Sequence, residues 1–309
     1  MKNSKVVILL AAFNGEKYIA EQIKSLLSQD LKPHKILISI DYSSDSTYSI
    51  VKKYSTKYSE IKIVSFNRKF GSAASNFFYL INQINLNDCD FIALCDQDDI
   101  WNSNKLARAI KCLNNGYDAY SSNVEAFWES GKRKVIYKSQ SQKIFDYLFE
   151  SSGPGCTFVF NVSLCAQLKK FLLSPNFTKN IDHYHDWLIY AFSRSHKYSW
   201  YIDSFVGLNY RQHPNNVFGV NLGIKAFLSR ARKVLHGEGI YYSFFLIHTL
   251  DLRNSFFNNI YPPSRLGMIR LAFRASSCRR RFIDQFYFFL ACMLLSIFFP
   301  KKLHDFNLT

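Results

Sequence analysis

This chain is short of negative charge and has no paired cysteines, and its aromatic-rich C-terminal run stops short of membrane-spanning length. The 309 residues carry 23 Asp and Glu against 39 Lys and Arg, a formal net charge of +16. Such a balance favours anionic partners: nucleotide phosphates, nucleic acid or acidic lipid headgroups. The seven cysteines (Cys89, Cys95, Cys112, Cys156, Cys165, Cys278, Cys292) are odd in number, show no C-x-x-C spacing and mostly sit inside apolar runs. That speaks against a disulfide framework or a cysteine zinc site and for reduced thiols in the cytosol. No RNA- or DNA-binding motif accompanies the positive charge, and no internal repeat or low-complexity linker divides the chain. Lys2 and Lys5 ahead of Val6–Phe13 give a superficial likeness to a signal peptide, but the run is short and leads into Asn14-Gly15-Glu16-Lys17 without a small-residue cleavage site. A first buried strand is the better reading.

With 48% hydrophobic residues the chain has ample material for a core. Its most informative stretch is Asp90–Leu106, D-F-I-A-L-C-D-Q-D-D-I-W-N-S-N-K-L. Phe91 to Leu94 are too short a run for a typical helix and suit a buried strand, which ends on Asp96, Asp98 and Asp99. Crowded carboxylates repel one another and raise each other's pKa; Mg²⁺ or Mn²⁺, hard ions that take oxygen ligands and bridge to phosphates, relieve them most simply. The plainer alternative is a solvated acidic turn capping the next helix.

Around this stretch strands and helices alternate. Strands are expected at Val6–Ala12, Lys35–Ile40, Ile61–Phe66 and Asp90–Cys95. Helices are expected at Glu16–Gln29 (Ile19, Ile23, Leu26 and Leu27 on one face), Ser46–Tyr58, Ser72–Ile84 and Ser103–Asn114 (Leu106, Ile110 and Leu113 aligned). This is the pattern of an α/β fold with a mostly parallel, doubly wound sheet, which binds ligands beyond the carboxyl ends of its strands. After Gly116 the segments shorten: strands near Asp118–Val124, Lys134–Tyr137, Cys156–Phe160, Ser199–Ile202 and Val206–Tyr210, and helices at Ser163–Leu173 and Ile181–Arg194. From Leu222 the chain reads as helical, basic and aromatic, with 13 basic and 4 acidic residues from Lys225 to Thr309. Three regions result: 1–115, the alternating half; 116–224, which completes the same domain; and 225–309, a helical, basic extension.

The ordered motifs I-L-L-A-A-F-N-G-E-K-Y-I-A-E-Q-I-K-S-L-L-S-Q (Ile8–Gln29), D-Y-S-S-D-S-T (Asp41–Thr47), Asn67 through Asn76-Phe77, D-Q-D-D-I-W (Asp96–Trp101), G-C-T-F-V-F-N (Gly155–Asn161), His185-Asp186-Trp187 and Y-R-Q-H-P-N-N-V-F-G (Tyr210–Gly219) span about two thirds of the chain. In that order they resemble a bacterial family 2 glycosyltransferase of the GT-A (Rossmann-like) fold, close to its rhamnosyltransferase-like members. The resemblance fades beyond Gly219.

The resemblance implies an inverting glycosyltransferase of cell-surface polysaccharide synthesis. Its nucleotide-sugar donor would be dTDP-rhamnose or a UDP-hexose, and its acceptor a saccharide or lipid-linked saccharide. Ala11, Ala12, Phe13 and Asn14 would border the base, and Asp41 would accept a hydrogen bond from a pyrimidine imide N–H; the plainer role of Asp41 and Asp45 is turn and N-cap bonding. The family usually reads D-D-G-S-S-D-G-T where this chain has Ile40, Tyr42 and Ser46 in place of an Asp and two Gly, which stiffens the loop. Arg68 and Lys69 are available to donor phosphates or ribose, or form a solvated basic loop. Asp98 would be the direct ligand of a Mg²⁺ or Mn²⁺ ion on the donor diphosphate, with Asp96 and Asp99 touching the ion, its waters or the donor. Arg211, Gln212 and His213 would close on the diphosphate, His213 reaching the ion. Asp186 would be the general base, and Gly155, Cys156, His185 and Trp187 would line the acceptor pocket.

Three rivals remain for comparison. A zinc site of His183, His185 and His213 is disfavoured because residues two apart on a helix do not share a face and no cysteine pair joins them. A sugar nucleotidyltransferase would carry a Gly-rich basic loop after the first strand, which Ala11–Lys17 does not provide. A non-enzymatic nucleic-acid binder rests on net charge alone. Phe286–Phe299 has 14 residues, short of the roughly 20 of a spanning helix, and lies between Arg279-Arg280-Arg281 and Lys301-Lys302. It is expected in or against an anionic membrane surface, which would place a cytoplasmic protein on the inner face of the bacterial plasma membrane; the alternative is a core helix.

Overall fold

Apolar runs of six or seven residues cannot make helices of ordinary length, but they satisfy the central strands of a sheet covered on both faces. The computed structural model, which describes residues 4–175, 177, 184–213, 232–253 and 256–306, uses them so. β1 (Val6–Ala12), buried at every residue, pairs in parallel with β2 (Lys35–Asp41) and with β4 (Phe91–Asp96), and β2 pairs in parallel with β3 (Ile61–Arg68). Between them run α1 (Ile19–Leu27), α2 (Thr47–Lys57) and α3 (Ala73–Gln83); α4 (Lys105–Leu113) follows. Ile19, Ile23 and Leu26 of α1 and Leu106, Ile110 and Leu113 of α4 are buried in one apolar cluster with the sheet, at the helical spacing read from the sequence. Truncating one of them to Ala costs about 2–5 kcal/mol.

The sheet continues with β5 (Ile100–Trp101), β6 (Ala119–Trp128), β7 (Arg133–Ile136), β8 (Val159–Asn161) and β9 (Trp200–Gln212), in the order β3-β2-β1-β4-β8-β6-β9-β5 with β7 on β6. β6 and β9 run in the direction of the first four strands, whereas β5, β7 and β8 oppose their neighbours. Two expected strands, Ser199–Ile202 and Val206–Tyr210, form one. The register on β6 jumps from Asp203 to Val206, and this bulge at Ser204–Phe205 makes a single strand read as two. The expected strand Cys156–Phe160 begins as a 3₁₀ turn, Gly155–Thr157, before β8. Asn161 then caps α5 (Val162–Leu172), its Oδ1 accepting from Leu164 N at 2.8 Å. The expected helix Ile181–Arg194 is seen as α6 (His185–Ser195); Ile181 to His183 and Pro214 to Gly219 lie outside the described residues.

The chain divides into two units. One comprises residues 1–139, 152–189 and 196–219 and contains the sheet. The other comprises residues 140–151, 190–195 and 220–309. The sequence reading placed the first two of those segments with the sheet. Within the second unit Arg280 is buried and pairs with Asp146 and Glu150, each at 3.3 Å, while Asp146 also accepts from Tyr190 Oη (2.9 Å) and Arg194 (3.2 Å). Buried charges persist only when paired in this way. The helices α7 (Glu238–Thr249), α8 (Arg265–Ala272), α9 (Ala275–Cys278), α10 (Phe282–Ile297) and α11 (Lys301–His304) belong to this unit. No helix among the described residues is long and apolar enough to cross a membrane. All seven cysteines are free and buried.

Candidate active site

Every strand of the parallel half ends in a polar motif at the same edge, and α1 fixes the most acidic of them. Gln22 and Ser25, three residues apart on one face of α1, and Gln29, just past its end, form one polar row. Ser25 Oγ accepts from Trp101 N (3.1 Å), Gln29 Oε1 accepts from Leu106 N (3.1 Å) and Gln29 Nε2 donates to Asn102 O (2.9 Å). With its amide oriented to satisfy both ends, Gln22 donates to the Asp99 carbonyl and accepts from Trp101 Nε1 at 3.2 Å. The sequence reading saw the apolar face of α1 and missed this polar one. Gln97 clamps the other side, accepting from Phe13 N (2.8 Å) and donating to Phe13 O (2.7 Å). A Cβ at residue 15 would stand 2.2 Å from Gln97 Oε1, so a side chain there would displace the Gln97 amide from its clamp on Phe13.

Asp96 and Asp99 each bring a carboxylate oxygen, and Cys156 its Sγ, within 4.8 Å of one another. Burial, then the charges of Asp98 and Asp186, raise the Asp96 pKa to about 7. Asp186, in the first turn of α6, lies beside this cluster: a Cβ on Gly155, the neighbour of Cys156, would stand 3.4 Å from Asp186 Cβ. Its Oδ1 accepts from Trp187 N at 2.8 Å. Burial and the neighbouring Asp98 and Asp96 also hold Asp99 well above the usual carboxylate range.

A divalent cation fits this donor set. Asp99 Oδ2 is a buried carboxylate oxygen without a hydrogen-bond partner, and a hard cation relieves the mutual repulsion of the three Asp. Burial and the adjacent carboxylates push the Cys156 thiol far up, so it stays protonated and is a poor ligand for Mg²⁺ or Mn²⁺. Asp98 is engaged separately, its Oδ2 lying 2.8 Å from His213 Nε2. The Lys105 ammonium, which the sequence reading did not single out, is buried beneath the site, 3.2 Å from the Trp101 ring centroid; burial lowers its pKa to about 7.

The remaining expected site residues divide. Arg211 donates from its backbone N to Asp99 Oδ1 (3.1 Å) and from Nε to Asp98 O (2.8 Å), pairs with Glu21 at 2.5 Å, and lies over the rings of Tyr18 and Phe127. Asp41 accepts from the backbone N–H groups of Tyr42 (2.7 Å), Phe70 (2.8 Å) and Gly71 (3.1 Å), the turn-bonding role its sequence allowed. Asp45 accepts from Thr47 N at 3.0 Å in the turn that enters α2. Asn14, at φ 44°, ties the first loop to the second through Ser43 and Ser44, and Arg68 lies 4.7 Å over Tyr79. Ala11 is buried in β1 opposite Asp96, while Phe13 is exposed. His185 packs 4.4 Å from Phe77, and burial keeps its imidazole below its ordinary pKa. A Cβ at Gly155 would stand 2.3 Å from His185 Nε2. Trp187 stacks on Tyr184. Tyr210, Glu21 and Tyr18 also surround the acidic motif; the sequence held them inside the quoted motifs without giving any of them a role.

Residues 7–173 match the family model described as Glycosyl transferase family 2. The chain belongs to that family. This family 2 glycosyltransferase is 38% identical over 291 residues to the dTDP-rhamnosyl transferase RfbG of Shigella flexneri, covering 94% of this chain and all of that one. It is 29% identical over 178 residues to an Escherichia coli UDP-Glc:alpha-D-GlcNAc-diphosphoundecaprenol beta-1,3-glucosyltransferase, covering 57% of this chain and 64% of that one. Its fold is similar to that of S. aureus TarS residues 1–349, with a TM-score of 0.60 at 16% identity over 97% of this chain and 82% of that one. It is also similar to a Pyrobaculum calidifontis mannosyltransferase in complex with GDP-Man and Mn²⁺, with a TM-score of 0.54 at 14% identity over 98% of this chain and 88% of that one. The fold is thus the expected GT-A one, and the expected transferase class replaces the nucleotidyltransferase alternative.

Proposed function

We propose that the enzyme transfers rhamnose from dTDP-rhamnose, with a UDP-hexose as the second donor choice, to a hydroxyl of a saccharide or lipid-linked saccharide during cell-surface polysaccharide synthesis, inverting the anomeric centre. The observation that carries this reading is that Cys156 Sγ lies within 4.8 Å of carboxylate oxygens of Asp96 and Asp99 while a Cβ on the adjacent Gly155 would stand 3.4 Å from Asp186 Cβ, which suits a base on one helix and diphosphate-binding carboxylates on one loop serving a single site. The full-length match to a dTDP-rhamnosyl transferase supports the donor.

Asp186 takes the proton of the acceptor hydroxyl as that oxygen attacks the anomeric carbon from the face opposite the leaving diphosphate. Asp98, held by His213, would be the direct ligand of Mg²⁺ or Mn²⁺, with Asp96 and Asp99 completing the acidic set around it. When bound, the ion neutralises charge developing on the departing nucleoside diphosphate. Asp41 and the Ala11–Asn14 strand end border the base. Arg211, fixed on the Asp98 carbonyl and paired with Glu21, contributes positive charge for the donor phosphates. Gly155, Cys156, His185 and Trp187 shape the acceptor side. In this reading the enzyme works at the cytoplasmic face of the bacterial plasma membrane, where a lipid-linked acceptor is anchored, and takes no nucleic acid.

The test is nucleoside diphosphate release from a panel of nucleotide sugars, with and without Mn²⁺ and with a lipid-linked saccharide extract as acceptor. Release from dTDP-rhamnose that needs both metal and acceptor is expected. Release from another donor only would replace the donor, and nucleoside triphosphate consumption in place of nucleoside diphosphate release would sink the reading.

A further inference from the structure

The helix α10 is amphipathic in an unusual sense: its solvent side is the greasy one. Phe282, Phe286, Leu290, Leu294, Ile297 and Phe298 recur at helical spacing and are 40–85% exposed, while Cys292, Leu295 and Ser296 on the other side are buried. α8 packs alongside, with Phe273 edge-on to Phe289 at 5.8 Å and Arg265 donating to the Ser296 carbonyl at 2.9 Å. It adds two more exposed apolar side chains, Leu266 at 56% and Phe273 at 74%. A contiguous apolar surface on this scale marks a place where something docks.

The charge around the face says what docks. From Ser264 to Lys302 there are eight Lys and Arg and one acidic residue, Asp284. Arg265, Arg270, Arg274, Arg281, Lys301 and Lys302 are exposed. Arg270 near the end of α8 and Arg274 just beyond it border a cleft of about 400 Å³ also lined by Phe256, Asn259, Ile269 and Phe273. The Arg274 guanidinium lies 5.7 Å over Phe256, and Arg270 donates to the Asn259 carbonyl at 2.6 Å, which holds both cations at the edge of the apolar surface. A second copy of the same face would bring two sets of cations together. A surface of lipid phosphates would neutralise them while the phenylalanines entered the acyl boundary. At 16 residues α10 is about 24 Å long, short of the roughly 30 Å hydrocarbon core, which suits a helix lying in the interface.

We propose that the exposed face of α8 and α10 docks on an anionic phospholipid surface, with Arg270 and Arg274 meeting lipid phosphate. The proposal needs neither the donor nor the acceptor assigned above, so it stands or falls separately. Flotation of the full-length protein with phosphatidylcholine vesicles, with and without phosphatidylglycerol, tests it. Because a net charge of +16 would draw any such protein to anionic lipid at low salt, the decisive variant is neutral: Phe282→Ser/Phe286→Ser/Leu290→Ser. The wild type is expected to float with phosphatidylglycerol vesicles and to stay bound at high salt. The triple variant, with unchanged circular dichroism, should lose about tenfold or more of that partitioning. Arg270→Gln/Arg274→Gln should lose the preference for phosphatidylglycerol over phosphatidylcholine. Wild type left at the bottom of the gradient, or a triple variant that floats equally well, would overturn the proposal. So would a wild-type dimer by light scattering that does not float and that the triple variant splits, since the face would then join two copies.

Discussion

His213 Nε2 lies 2.8 Å from Asp98 Oδ2, and the same imidazole stacks on Tyr18 with ring centroids 5.2 Å apart. The last described residue of the β9 segment is thereby latched to the acidic loop and to the turn before α1. Arg211, two residues earlier, holds the same loop through its backbone N and its Nε.

That latch predicts a metal phenotype. His213→Ala should raise the Mn²⁺ concentration for half-maximal activity about tenfold, the worth of one hydrogen bond to a charged group, with the thermal midpoint little changed. Asp98→Asn should abolish turnover with the fold intact, and EDTA should silence the wild type reversibly. Undiminished activity in excess chelator would sink metal dependence, and an unshifted Mn²⁺ requirement in His213→Ala would show the latch to be idle.

A second prediction concerns Gly155. An added Cβ would stand 2.3 Å from His185 Nε2 and 3.4 Å from Asp186 Cβ, and His185 is itself packed on fully buried Phe77. Gly155→Ala should therefore cost about 1–3 kcal/mol, the range of overpacking, and should lower kcat by displacing the first turn of α6. Thermal unfolding of Gly155→Ala and of Gly155→Ala/His185→Ala checks the cause. The double variant should recover stability relative to the single one, and no recovery would mean that His185 is not what the methyl group meets.

How far the sequence carried can be judged from single segments. Val6–Ala12 and the Ile19/Ile23/Leu26 face were readable because a period of hydrophobicity reports burial directly. Ile100–Trp101 was not, since two residues have no period, and the Ser204–Phe205 bulge hid the continuity of β9. The acidic motif was legible as chemistry. Its grouping was not: which Asp bonds His213 and which faces Cys156 depends on side-chain direction at a strand end, a tertiary property. Asp41 shows the same limit, for a carboxylate that suits a pyrimidine N–H suits backbone N–H groups equally well.

Acid stability should report on Asp203. Burial pushes its carboxyl up, but hydrogen bonds from Arg108, Phe205 N and Tyr120, together with the Arg108 charge, outweigh that and hold it below the usual value. A depressed folded pKa means stability that is fully present above the ordinary carboxylate value of about 3.9 and is lost as pH falls through the folded one. Asp203→Asn should cost about 2–3 kcal/mol at pH 7, discounted because Arg108 is 42% exposed. The gap to wild type should close in denaturant melts run near pH 3 and below. A gap independent of pH would assign the loss to packing.

The last prediction addresses the base. Asp186→Asn keeps the shape of the side chain and its bond from Trp187 N but cannot take a proton, so kcat should fall by about 10²–10⁴. Donor affinity should stay close to wild type, because the proposed role contacts the acceptor hydroxyl and not the nucleotide. One indirect effect separates this role from a metal-holding one. The Asp186 charge helps raise the Asp96 pKa, so its removal should let Asp96 ionise at lower pH and leave Mn²⁺ binding intact or tighter. Titration calorimetry with Mn²⁺ and donor, beside steady-state kinetics, reads all three quantities. Weakened Mn²⁺ binding would move Asp186 into the ion's ligand set. An NMR assignment of the product showing a retained anomeric configuration would remove it as the base of a single in-line displacement, since one carboxylate acting on one face of the sugar permits only inversion.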